Sequence, residues 1–84
     1  MNGNAAQKLL ERMKASPYGW GQDDFDKLLT GFGFMRKEGK RHRIYIHPEF
    51  RELSISIPRH NELKPCYSRD TLKLIDELQG RLKE

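Results

Sequence analysis

Between Arg36 and Arg43 the chain carries five cations (Arg36, Lys37, Lys40, Arg41 and Arg43) against one acid, Glu38, and places an imidazole, His42, among them. That combination suits a phosphate-rich ligand: the cations match its charge, and the imidazole can take up a proton beside it. Cationic neighbours disfavour the imidazolium, so His42 is expected to act as an acceptor, the role of a general base. In RNA the corresponding step is removal of the 2′-OH proton. The 2′-oxygen then attacks the adjacent phosphorus while Lys and Arg stabilise the charge gathering there. The same residues also describe a solvated basic strand edge whose histidine fills space beside Ile44, and charge pattern alone does not choose between the two.

Metal chemistry fits the histidines poorly. His42 and His47 are five positions apart on one expected strand, hence on opposite faces and about 16 Å apart at ~3.3 Å per residue. They cannot share an ion. His60 is the remaining histidine, and Cys66, the single cysteine, sits in no ligand-spaced motif. No glycine-rich phosphate loop follows a strand and no serine nucleophile elbow is present, so no metal, cofactor or covalent intermediate is expected. His60 reads as a loop residue with a minor part, if any, in RNA contact.

Elements of recognisable period must position these residues. Ala6, Leu9, Leu10 and Met13 recur at helical spacing up to the breakers Pro17 and Gly19. A second helix is expected to open at Gly21 to Asp24, with two acids in its first turn, and to carry Phe25, Leu28, Leu29 and Phe32 toward a core before Gly31 and Gly33 end it. Three strands follow, at about 34–37, 42–47 and 53–57. The first two form a hairpin joined at Glu38 and Gly39, where glycine can supply the positive φ of a tight turn. Leu53, Ile55 and Ile57 alternate with Ser54 and Ser56, the pattern of a sheet covered on one face only. By parity His42 shares a side with Ile44 and Ile46, so to be reachable it must lie at the rim of its strand. Ser68 is a good N-cap for a closing helix bearing Leu72, Ile75, Leu78 and Leu82. The expected fold class is α+β in the order α-α-β-β-β-α: a three-stranded antiparallel sheet with helices mainly on one face.

Eighty-four residues suffice for one domain, and such a chain buries only about 60% of its unfolded surface. A net charge of +4 favours an anionic partner. One cysteine rules out an internal disulfide and points to a reducing compartment. The first residues lack the apolar run of a secretory signal, and no window approaches the ~20 apolar residues of a membrane span, so a cytoplasmic protein without a membrane partner is expected.

Taken together, the helix containing Phe25 to Leu29, the run Gly31 to Phe34, His42 to Pro48, Ile57 to Pro65 and the closing Thr71 to Ile75 resemble, in order and spacing, the HicA family of toxins, the ribonuclease half of a bacterial toxin–antitoxin pair. From Phe25 to Leu78 the resemblance covers about two thirds of the chain. It implies a fold like that of double-stranded-RNA-binding domains, cleavage of mRNA by a histidine at the start of the second strand, here His42, and inhibition by a HicB-type antitoxin. Residues 1–20 would then be a helical extension of a single domain spanning 1–84. In one place the chain departs from the family, which usually has Gly-Ser immediately before the histidine where this chain has Lys40 and Arg41. Two bulky cations there either keep the backbone away from phosphate or replace backbone contacts with side-chain clamps.

The resulting expectation is a metal-independent endoribonuclease with His42 as general base and Lys37, Lys40, Arg41 and Arg43 as phosphate contacts. Lys64 and Tyr67 are secondary RNA contacts, although Lys64 also reads as plain loop charge and Tyr67 as a hydrophobic staple ahead of the Ser68 cap. Two alternatives use the same fold: a non-catalytic module that recognises RNA by shape and phosphate, and an interaction domain whose basic face meets an acidic protein.

Overall fold

The computed structural model describes residues 2–83. Helix α1 (Asn2–Ala15) and helix α2 (Gln22–Gly31) precede an antiparallel meander of β1 (Met35–Glu38), β2 (His42–Ile46) and β3 (Ser54–Pro58), and α3 (Pro65–Leu82) closes the chain. The sheet order is β1-β2-β3, so the strand carrying His42 is central. The α+β architecture and the order α-α-β-β-β-α are as the sequence predicts.

One core joins the three helices with β2 and β3. Leu10 and Met13 of α1, Phe25, Leu28 and Leu29 of α2, Tyr45 and Ile57 of the sheet and Ile75 and Leu78 of α3 are buried in a single cluster. Phe32, expected among them, is only half-buried at the end of α2. Because α1 supplies two of these side chains and packs on α2 and α3, it is part of the core. Burial in β3 alternates as the Ile/Ser pattern predicts: Ser54 and Ser56 are exposed and Ile57 is buried. In β2 the covered face is that of Arg43 and Tyr45, which lie opposite Ile57 and Ile55. The parity of His42, Ile44 and Ile46 is therefore that of the open face.

Asp26 of α2 fixes the helix layer to the sheet. Its carboxylate accepts a hydrogen bond from the Tyr45 hydroxyl at 2.8 Å and another from Arg36 at 3.0 Å. Buried polar groups need such partners, and Tyr45, fully buried, finds its own in a charged acceptor.

Several boundaries and roles differ from the sequence expectation. Each strand is displaced by a residue or so at an end: Phe34 is buried and its N–H still serves the end of α2, bonding to the Leu29 carbonyl at 3.0 Å, so β1 begins at Met35. Helix α3 begins at Pro65 with Lys64 as N-cap, and not at Ser68, because proline has the φ and the missing N–H that a first helical position favours. Ser68 is instead fully buried, and its hydroxyl donates to the Pro17 carbonyl at 2.8 Å, tying α3 to the connection between α1 and α2. This moves Tyr67 into the first turn of α3 and removes its expected role as a staple. The buried stripe of α3 is Ser68, Thr71, Ile75 and Leu78, with Leu72 half-buried and Leu82 exposed. The hairpin does not use the positive φ expected of Gly39: among the described residues positive φ occurs at Gly19 and Gly33, outside it. Gly39 is needed for space: its N–H bonds to the His42 carbonyl at 2.9 Å, and a Cβ there would stand 2.7 Å from that oxygen.

Candidate functional site

The residue after each tight turn is set by the register, and the register brings two distant stretches together. His42, the first residue of β2, lies opposite Pro58, the last of β3. Arg59 and His60 follow directly, so the loop between β3 and α3 passes the tip of the first hairpin. There Lys40, Arg41, His42, Pro58, Arg59, His60 and Tyr67 line an open groove of ≈ 580 Å³. His42 is exposed. It begins its strand, and because its side of the sheet is the open one it would be reachable without the rim position that the sequence parity made a condition.

Three sets of bonds hold the groove. The Arg59 N–H donates to the Arg41 carbonyl at 3.2 Å, and the Arg59 guanidinium donates to the Gly39 carbonyl at 2.7 Å and to Glu38 at 3.2 Å, so one residue clips the hairpin tip to the loop. His60 is pinned through its backbone: its N–H reaches the Pro58 carbonyl at 3.1 Å and its carbonyl accepts from Gln22 at 2.9 Å. Leu63 N–H bonds to the Trp20 carbonyl at 2.8 Å, completing the seam between this loop and the start of α2. The seam needs Gly21, since any side chain there would strike the Asn61 carbonyl.

Charge in the groove is unevenly committed. Arg59 is paired with Glu38, whereas Lys40 and Arg41 make no ion pair among the described residues. These two cations are therefore the ones open to an incoming anion. Tyr67, half-buried, offers the wall from α3.

Of the residues singled out from the sequence, the fold thus gathers Lys40, Arg41, His42 and Tyr67. It does not bring Lys37, Arg43 or Lys64 to them. Lys37 lies on a separate surface with Met35, Ile46, Pro48 and Arg51. Arg43 is on the helix-covered face, largely screened from solvent, within 3.7 Å of Asp23 and 3.5 Å of Glu38, so its charge is spent inside the protein. Lys64 caps α3 and lines another hollow with Tyr18, Gly19 and Glu62. Arg59 and His60 belong to the groove, although the sequence reading passed over the first and made the second a loop residue. The signal was in the sheet: once β2 and β3 pair with His42 opposite Pro58, residues 59 and 60 must arrive beside the hairpin tip.

His47 is structural. It is buried, edge-on to Phe34 at 5.3 Å between ring centroids, and its Nδ1 accepts the Glu49 N–H at 3.1 Å. Among the described residues no three His, Cys, Asp or Glu side chains gather as a metal site would require.

No protein-family model, curated protein or solved structure matches the chain. An exposed imidazole beside two uncommitted cations can accept a proton from a hydroxyl while the cations hold a phosphodiester and stabilise its developing charge.

Proposed function

We propose that the protein is a metal-independent endoribonuclease of the HicA toxin type, with His42 as general base and a HicB-type antitoxin as its inhibitor. The observation that carries this reading is the placing of His42 with unpaired Lys40 and Arg41 in one open groove. The groove can admit a phosphodiester with the 2′-OH toward the imidazole, and the reaction then needs only a proton acceptor and charge stabilisation. Lys40 and Arg41 stand where the family usually has Gly-Ser; both line the groove, are exposed and make no ion pair among the described residues, which favours side-chain clamping of phosphate. A cytoplasmic location follows from the mRNA substrate; no helix among the described residues is long and apolar enough to cross a membrane.

The test is cleavage of RNA by the purified protein with chelator present. Wild type should cut, and His42→Ala should cut about 10²–10⁴-fold more slowly while retaining most of its RNA affinity, because the phosphate grip belongs to the neighbouring cations. His47→Asn should affect stability before it affects chemistry. A wild type that binds RNA and leaves it whole would replace this reading with that of a non-catalytic RNA-binding module.

A further inference from the structure

We infer that His60 is the general acid of the same reaction, protonating the 5′-oxygen that leaves as His42 accepts the 2′-OH proton. This rests on the ribonuclease reading of the groove. His42 and His60 both line one open groove and are both exposed, and they arrive from separate elements: His42 from the start of β2 and His60 from the loop after β3. The loop is anchored as a positioned group requires. The His60 carbonyl is bonded to Gln22 and its N–H to Pro58, while the preceding Arg59 is clipped to Gly39 and Arg41 of the hairpin. Neither imidazole has a hydrogen-bond partner among the described residues, in contrast to His47, whose ring is packed and bonded. Both are free for a ligand.

Cleavage by a 2′-hydroxyl has two proton transfers, and one acceptor completes only the first. As His42 takes the 2′ proton, the 2′-oxygen bonds to phosphorus; the bond from phosphorus to the 5′-oxygen breaks, and that oxygen, a poor leaving group as an alkoxide, takes the proton of the His60 imidazolium. The products are a 2′,3′-cyclic phosphate and a free 5′-hydroxyl. His42 is left protonated and His60 neutral, and exchange with water restores both rings. The groups that line the groove with His60 are Lys40, Arg41 and His42 of the hairpin, Arg59 of its own loop and Tyr67 of α3.

The experiment compares a natural RNA oligonucleotide with the same oligonucleotide carrying sulfur in place of the bridging 5′-oxygen at its mapped cut site. A thiolate leaves without a proton. His60→Ala should therefore cleave natural RNA about 10²–10⁴-fold more slowly than wild type and the sulfur-bridged RNA within a few-fold of it. His42→Ala should be slow on both. With natural RNA, the falling alkaline limb of the wild-type rate profile should disappear in His60→Ala. Retained cleavage of the sulfur-bridged RNA also reports an intact fold. If His60→Ala cuts natural RNA as wild type does, or loses both substrates equally, His60 is not the acid, although the ribonuclease reading stands. If wild type cuts neither RNA, that reading and this inference fall together.

Discussion

The guanidinium of Arg59 donates to the carbonyl of Gly39 at 2.7 Å, across the gap between the loop after β3 and the first hairpin. With its second bond to Glu38, Arg59 spans the two halves of the groove that holds His42. Its contribution to stability is expected to be small, about 1 kcal/mol or less, because the side chain is exposed. Its contribution to geometry should be larger. Displacement of a catalytic group by about an ångström can lower a rate by around 100-fold, so Arg59→Ala should slow RNA cleavage between about 10- and 100-fold with little change in melting temperature. Lysine keeps the charge and loses the forked donor, so Arg59→Lys should resemble alanine if anchoring is the role and should recover most activity if the charge meets phosphate.

Of the cations that line the groove, Lys40 and Arg41 make no ion pair among the described residues. RNA binding should weaken with salt, and replacing both with alanine should flatten the plot of log K against log [salt] by about 0.7 for each lost contact on a single strand. Arg43→Ala should leave that slope nearly unchanged, since its charge is already matched by Asp23 and Glu38. Filter-binding titrations over a range of salt concentrations would decide; an unchanged slope in the double variant removes the two residues from the interface.

Tyr45 should make stability depend on alkaline pH. Burial first, and then the hydrogen bond to Asp26, raise its pKa well above the ordinary 10.0. The folded state therefore prefers the neutral phenol. That preference contributes fully below about pH 10 and is lost as the pH rises further toward the folded-state value, because the unfolded chain releases its proton first. Tyr45→Phe should cost about 1.5–3 kcal/mol near neutrality, the range for a hydrogen bond to a charged group. Denaturant unfolding of both proteins should show the gap between them narrowing above pH 10. A constant gap would mean that Tyr45 is not the group responsible.

Leu28 has no exposed surface, whereas Lys27 beside it is exposed. Leu28→Ala should destabilise the fold by about 2–5 kcal/mol, a large part of what a domain of this size has. Lys27→Ala should stay within about 0.5 kcal/mol of wild type. Chemical denaturation midpoints measure both.

Much of the fold was legible in the chain because local period carries it. Phe25, Leu28 and Leu29 at helical spacing and Ile55 and Ile57 between serines are statements about one face of one element, and short-range geometry makes them reliable. The element order and the antiparallel meander followed from these periods and their breakers. His42 was also visible, since its basic neighbours are neighbours in sequence. Local rules failed where two elements compete for one residue. Ser68 has the chemistry of an N-cap, yet Pro65 starts the helix earlier and the hydroxyl is taken by Pro17, far away in the chain. Arg43 looked as available as Lys40, and only the pleat decides that it turns toward Asp23 while Lys40 stays in solvent. His60 and Arg59 join His42 through the register of β2 on β3, with His42 opposite Pro58. A single-residue slip would send every side chain of a strand to the other face. That register depends on how the turn from His47 to Leu53 closes and on how Tyr45 and Ile57 fill the core, so the composition of the groove belongs to the tertiary structure.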